Sequence, residues 1–351
     1  MITIFTPSFA DEANTNAQNL TAKEIVSRLP PDRFRVLLLG DGAPDPRILA
    51  RENTEILPWS RHGNTARWLT RVLLSRIDIY FFPREGPLDT LFLFCRRSLG
   101  LPVALVTYIV MALDEIAVGP TMTKSIREAD CVVGNSRFVT QTVKDRFGVA
   151  AGTIYDGINR ELFHPPVEAR PTGSKLTVLY AGSFQARKRV NVVIREAANW
   201  PSVEFRLAGK GEEEEKCRSL ANELGCRNVT FVGHLSQPGL AEEMRKSDVF
   251  LFPSVLEGHP QVLGQAASCG LPAVVMEKYR PDYVVHGETG YLVKSESELS
   301  HKLGLLLSDE DLRLRMSAAA ARHALQFDWD KVALDWESVF VEAAGKRRKK
   351  H

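Results

Sequence analysis

The chain has 351 residues, of which 44% are hydrophobic, 25% charged and 8% aromatic. That is the make-up of an ordinary globular protein, long enough for two domains of about 150 residues, and it excludes disordered, collagen-like and disulfide-scaffold chains. The formal net charge is +2, yet five of the 45 basic residues are the terminal Lys346, Arg347, Arg348, Lys349 and Lys350; without them, forty basic residues meet 43 acidic ones and the body stands at −3. A protein that grips nucleic acid by blanketing phosphates carries a clear basic excess, so no nucleic-acid partner is expected.

The five cysteines, Cys95, Cys131, Cys217, Cys226 and Cys269, are scattered and form no C-x-x-C pair. Neither a disulfide framework nor a zinc site follows, and a reducing cytoplasm suits them. The N-terminus lacks the basic start of a secretory signal and meets Pro7, Asp11 and Glu12 early. The longest apolar stretch, Leu101 to Leu113, falls short of the roughly 20 residues that span a bilayer.

Along the chain, short β-branched runs alternate with helical stretches, twice over. Strands are expected at Ile2–Thr6, Arg35–Leu39, Asp78–Phe82, Val103–Thr107, Cys131–Gly134 and Thr153–Tyr155. Helices are expected between them at Thr15–Leu29, Asn64–Ser75, Leu88–Arg97 and Ser136–Phe147. Runs such as Ile77 to Phe82 are apolar nearly throughout, as strands covered on both faces should be. The prolines and glycine between His164 and Gly173 read as a linker. The alternation then restarts with strands at Leu176–Ala181, Val203–Ala208, Val229–Val232, Val249–Phe252 and Ala273–Met276, before a helix-rich end from Glu296 to Ala344. The acidic run Glu212–Glu215 reads as a solvated helix start, where carboxylates suit the dipole. The pattern predicts an α/β protein of two Rossmann-like domains with parallel sheets.

Two strand–loop–helix segments carry chemistry. In the first, the strand Val249–Phe252 ends at Pro253, a loop brings Ser254, Glu257 and Gly258, and Pro260 opens a helix that Gly270 and Pro272 end. Ligands of open α/β sheets bind at such loops, and the free N–H groups of the helix start suit an anion. In the second, Tyr180-Ala181-Gly182-Ser183 leads into Arg187-Lys188-Arg189 before a helix. Three cations there oppose the dipole, so an anionic ligand such as a diphosphate, or plain exposure to water, must accommodate them. A third piece, Gly209-Lys210-Gly211, is a tight turn after a strand. His259 has two readings, a cap on the helix at Pro260 or contact with the ligand held there. Asp114 and Glu115 either line a cleft or are a solvated pair, and His62, His164 and His286 show no metal-ligand spacing.

Read in order, these pieces resemble the retaining glycosyltransferases of the GT-B fold, glycosyltransferase family 4. The matching residues run from Asp130, Asn135-Ser136 and Asp156-Gly157-Ile158-Asn159 through Gly182, Lys188 and Gly209-Lys210-Gly211. They continue through Phe231-Val232-Gly233, Asp248, Pro253-Ser254, Glu257-Gly258 and Gly270-Leu271-Pro272 to Gly287-Glu288-Thr289-Gly290 and Phe327-Asp328-Trp329. The resemblance implies sheets facing across a cleft, with an acceptor-side domain over 1–165 and a donor-side domain over 166–326. A helix over 327–345 would cross back to the first domain, and 346–351 would be a basic tail. Lys188 would hold the donor diphosphate and Glu257 the donor sugar, as the catalytic pair. The donor-binding set would be Gly182, Ser183, Arg187, Arg189, Gly209, Ser254, Gly258, His259, Val262, Leu263 and Gln265. No metal and no cofactor is implied, only a nucleoside-diphosphate sugar as donor substrate and a hydroxyl acceptor.

Three positions depart from the family pattern. Gln265 stands where the family has a glutamate facing the nucleotide ribose, and an amide offers one acceptor and one donor end where a carboxylate accepts twice. Ser183 stands where an arginine is common. After the first strand, Asn14, Thr15 and Asn16 replace the usual glycine pair, and either cap the next helix or present polar groups to the acceptor. The function expected is retaining transfer of a hexose-type sugar to a hydroxyl in surface glycan or glycoconjugate synthesis. The rivals are a catalytically impaired GT-B binding module and a GT-B epimerase or phosphorylase. Localisation is expected in the cytoplasm, with peripheral contact of the basic tail to anionic lipid left open. Base, sugar, acceptor and oligomeric state are not legible.

Overall fold

The structure is a computed structural model that describes residues 1–12, 17–59, 65–83, 85–111, 113, 117–168 and 175–348, with side chains at all of these but 17, 18, 347 and 348. The chain divides into two units, residues 1–156 with 329–351, and residues 157–328.

The first unit is built on a parallel sheet of seven strands: β1 (Ile2–Phe9), β2 (Phe34–Gly40), β3 (Thr54–Pro58), β4 (Ile79–Phe81), β5 (Ala104–Ile109), β6 (Cys131–Gly134) and β7 (Gly152–Thr153), in the order β3-β2-β1-β4-β5-β6-β7. The central register sets Ile4 opposite Val36 on one side and Ile79 on the other. Every residue of β4 and β5 is buried, which is why these strands are apolar without alternation. The helix Pro87–Leu99 starts with a proline in its first turn and ends at Gly100 in the left-handed region (φ 61°).

The helix Trp329–Arg348 belongs to this first unit although it ends the chain. Its buried residues Trp329, Val332, Trp336, Phe340 and Ala343 recur at helical spacing and form one stripe. Trp336 packs against Phe81 (5.0 Å between ring centroids) and edge-on against Tyr108 (4.7 Å), and Phe340 packs against Phe34 and Phe81. Arg28 pairs with Asp330 and Arg33 with Glu337 at the rim of the stripe.

The second unit carries β8 (Thr177–Ala181), β9 (Glu204–Ala208), β10 (Val229–Gly233), β11 (Val249–Phe252), β12 (Ala273–Met276) and β13 (Gly290–Val293), parallel in the order β10-β9-β8-β11-β12-β13. Val178 lies opposite Phe205 on one side and Val249 on the other, so the strand order reverses between β8 and β11. In such sheets the crevice at the reversal, beyond the strands' carboxyl ends, is where a ligand fits.

The units part between Asp156 and Gly157, ahead of the proline-rich stretch. Asp156 is buried and fixed within the first unit: Tyr108 Oη donates to Oδ1 (2.8 Å) and Asn135 Nδ2 to Oδ2 (2.8 Å). Two residues on, the Ile158 N–H donates to the Phe327 carbonyl of the second unit. Asp130 is likewise structural, accepting from Leu105 N and pairing with Arg96.

Candidate functional site

A cavity of about 460 Å³ lies at the carboxyl ends of β8, β9 and β10 and beside the loop after β11. Its wall takes Ala181–Ser183 from the end of β8, Ala208, Gly209 and Lys210 from β9, and His234 and Leu235 from beyond β10. Glu257, Pro260, Gln261, Val262 and Gln265 come from the loop and helix after β11, and Gln237 and Leu240 from the helix Gln237–Arg245.

Glycine makes the close turns possible. At Gly209 the backbone sits at φ 140°, and a Cβ there would lie 1.9 Å from the Gly182 carbonyl oxygen. A Cβ on Gly211 would lie 2.4 Å from the carbonyl oxygen of Phe184. The G-x-G signal is therefore steric: it lets the turns after β8 and β9 touch and leaves room above them.

The polar centre of the cavity is an ion cluster on one carboxylate oxygen. Lys188 Nζ lies 2.5 Å from Glu257 Oε1, Arg187 Nη1 lies 2.9 Å from it, and Ser254 Oγ donates to it at 2.5 Å. All three donors converge on Oε1. Arg187 also donates to the Leu256 carbonyl, which ties the loop after β11 to the turn Ala186–Lys188. Lys188 is buried, with its ammonium 5.0 Å from the Phe252 ring centroid. Burial lowers its pKa below 10.5, with Arg187 adding to the fall and Glu257 opposing it. Tyr180 supports the floor: its hydroxyl donates to the Ser183 carbonyl, and burial pushes its ionisation far above the usual range.

Of the residues expected at the donor, Lys188, Glu257, Gly182, Ser183, Gly209, Val262 and Gln265 all stand in the wall. Arg187 acts from behind, through Glu257. Ser254 and Leu263 are fully buried and reach no open space, and Gly258 is not in the wall. Arg189 is turned away. It adopts the left-handed region (φ 54°) at the start of the helix Val190–Asn199 and pairs with Glu296. Lys188 and Arg187 thus share one carboxylate, Glu257, Arg189 pairs with Glu296, and both arginines keep part of their side chains in water.

His259 neither caps the helix nor meets the cavity. Its ring stacks on Tyr283 (3.8 Å between centroids, 20° between planes) and lies near Phe327. Burial alone pushes its pKa down to about 3, so it stays neutral. Pro260 is the cap residue, and the helix runs Gln261–Ser268. Asn14, Thr15, Asn16, His62, Asp114 and Glu115 lie outside the described residues.

Lys210, His234 and Gln237 are wall residues that the motif reading passes over. Lys210 follows a glycine the motif does pick out, so its place was recoverable; His234 and Gln237 sit in a loop and a helix start with no pattern of their own. Gln237 matters most, because its Oε1 accepts from Gln265 Nε2 at 3.0 Å. The family glutamate is thus replaced by a bridge of two amides. Among the described residues no cluster of three or more His, Cys, Asp or Glu side chains could hold a metal ion, and no helix is long and apolar enough to cross a membrane.

Residues 165–323 match the family model described as glycosyl transferases group 1. A D-inositol 3-phosphate glycosyltransferase of Streptomyces bingchenggensis is 27% identical over 242 residues, 61% of this chain and 53% of the relative. A phosphatidyl-myo-inositol mannosyltransferase of Mycobacterium leprae is 30% identical over 211 residues, 57% of this chain and 56% of the relative. The chain thus spans little more than half the length of these relatives. Among solved structures, Anabaena HepE in complex with UDP superposes with a TM-score of 0.79 at 17% identity, covering 97% of this chain and 100% of that one. That likeness is one of fold, the GT-B fold.

Proposed function

We propose, from the match of residues 165–323 to the glycosyl transferases group 1, that the chain transfers a hexose-type sugar, with retention, from a nucleoside-diphosphate donor to a hydroxyl acceptor. The observation that carries the proposal is the meeting of Lys188 and Glu257 in a cavity at the carboxyl ends of β8, β9 and β10. The UDP held by HepE, of the same fold, supports a nucleoside diphosphate as the ligand class.

The residues divide the work as follows. The diphosphate meets Lys188 and the N–H groups that open the helix Gln261–Ser268. Glu257 keeps Oε1 on Arg187 and Ser254 and offers Oε2 to a sugar hydroxyl. Gln265 and Gln237 present amide groups to the nucleoside. As the bond between the anomeric carbon and the diphosphate breaks, negative charge grows on the leaving oxygen. Lys188 is already fixed there in a largely dry site, where such stabilisation is worth most. The leaving diphosphate takes the proton of the acceptor hydroxyl as the new glycosidic bond forms, so no further side-chain base is required. Surface glycan or glycoconjugate synthesis suits such a transfer, and a relative named for mannosyl transfer to phosphatidyl-myo-inositol supports the glycoconjugate side of it.

A second reading rests on Gln265: a module that has lost catalysis and keeps only ligand binding. The test is a thermal-shift panel of uridine, guanosine and adenosine diphosphates and their hexose conjugates, followed by measurement of diphosphate release with sugar and lipid acceptors. Ligand at about 100 times its Kd adds roughly 2.7 kcal/mol of stability. Binding with release supports transfer, and binding without release supports the impaired module. Silence across the whole panel overturns both.

A further inference from the structure

A second cavity, of about 540 Å³, sits in the unit of residues 157–328 and shares no residue with the first. It is walled by the last turn of the helix Val190–Asn199 and by the helix Glu296–Ser308 from Ser300 to its end. Neither helix carries a basic residue in its last turn. Two helix carboxyl ends, each with the negative pole of its dipole, therefore border one space. Among the described residues of the wall, His301 is the one titratable nitrogen base; Arg195, Lys302 and Arg313, close by in sequence, are not in the wall, with Lys302 over the Tyr291 ring and Arg313 on the Leu306 carbonyl.

Glu196 stands in this wall and is 4% exposed. Its Oε1 accepts from Ser300 Oγ, while Oε2 is buried with no hydrogen-bond partner. A buried carboxylate oxygen without a donor is costly, and an ion pair is the usual remedy. Trp200 supplies the adjoining wall. It fits there because residue 304 is glycine: a Cβ on Gly304 would lie 3.2 Å from Trp200 Cζ2. Asp309 adds a second acidic group at the rim, although one of its oxygens caps Leu312 N.

We propose that this cavity binds a small organic cation, a primary ammonium carried on an apolar body. The ammonium donates to Glu196 Oε2, and the body lies along the Trp200 indole, which attracts cations as well as covering apolar surface. The site is independent of sugar transfer and would bind its ligand whether or not the first cavity is catalytic.

The probe is hexylammonium, with hexanol as its neutral counterpart. Binding is read from the Trp200 indole N–H resonance, assigned with Trp200→Phe. Hexylammonium should shift that resonance saturably, and hexanol should bind at least about tenfold more weakly. Glu196→Gln keeps the side chain's size and removes its charge, so it should weaken hexylammonium about tenfold while leaving hexanol and nucleotide binding unchanged. The proposal is overturned by equal binding of hexanol, or by equal hexylammonium binding in Glu196→Gln. It is also overturned by no saturable shift at about 20 mM, beyond the millimolar affinity one such contact supports. If Glu196→Gln fails to fold, the comparison of the two probes on the unaltered protein decides alone.

Discussion

Replacing Lys188 by alanine probes the centre of the first cavity. The free protein should tolerate the change, because Glu257 Oε1 keeps Arg187 at 2.9 Å and Ser254 at 2.5 Å. The stability loss should therefore stay below the about 3–5 kcal/mol of a buried charge stripped of its partner. Ligand binding should suffer more. A hydrogen bond from an ammonium to a phosphate is worth about 1.5–3 kcal/mol, so Kd for the nucleoside diphosphate should rise about 10- to 150-fold. Turnover at saturating donor should fall further, since the charge on the leaving diphosphate grows in the transition state. Titration calorimetry gives the first number and diphosphate release the second. Lys210 is unsuitable as a control because it lines the same wall; the exposed Lys144, on the helix Arg137–Phe147 of the other unit, serves instead. An unchanged Kd in Lys188→Ala, where the unaltered protein binds, would refute the phosphate role.

Four further outcomes follow from the same geometry. Gln265→Glu should tighten nucleoside diphosphates about tenfold and leave inorganic pyrophosphate unaffected, since a charged acceptor replaces a neutral one beside Gln237; calorimetry with both ligands checks it. Gly209→Ala should lower stability by more than about 1–3 kcal/mol, because a clash with the Gly182 carbonyl adds to backbone strain, and an unchanged melting temperature would contradict it. Trp336→Ala should cost about 3–5 kcal/mol, since the ring is fully buried, and should lower the urea midpoint accordingly. Finally, burial makes Lys188 lose its proton below 10.5 in the folded protein and nearer 10.5 in the unfolded chain. Between those values the unfolded chain binds more protons, so this group's contribution to stability rises with pH. Diphosphate affinity should fall over the same alkaline window, and Lys188→Ala should flatten that fall in binding measured at several pH values.

Strands and motifs were legible for different reasons. β4, β5, β8 and β11 are buried along their whole length and read as unbroken apolar runs. β3 (Thr54–Pro58) did not read as a strand, because an edge strand with Glu55 and a closing proline shows neither an apolar run nor alternation. At the site, glycines and loop positions of Lys188 and Glu257 were legible because close backbone approach restricts the residues allowed. Side-chain direction was not. Three consecutive cations look equivalent in sequence, yet Arg187 turns to Glu257, Lys188 enters the cavity and Arg189, in the left-handed region, turns to Glu296. His259 was misread for the same reason: nothing beside it in sequence announces Tyr283, 24 positions on, which buries its ring.

The slight negative charge of the body takes its meaning from this cluster. A cavity with three unpaired cations would repel itself and attract any anion at hand. Here Glu257 offsets part of the charge of Lys188 and Arg187, and the cluster stays net positive, with Lys210 in the same wall, so it still favours a stronger anion. A diphosphate brings more charge than one carboxylate and can draw Lys188 away, while Arg187 and Ser254 hold Glu257 in place. Arg187→Ala should therefore act differently from Lys188→Ala. It leaves the phosphate contact but frees the loop that carries Glu257, so binding of the bare diphosphate should change little while binding of its sugar conjugate weakens. If both ligands weaken equally, Arg187 touches phosphate directly, and the division of labour drawn here is wrong.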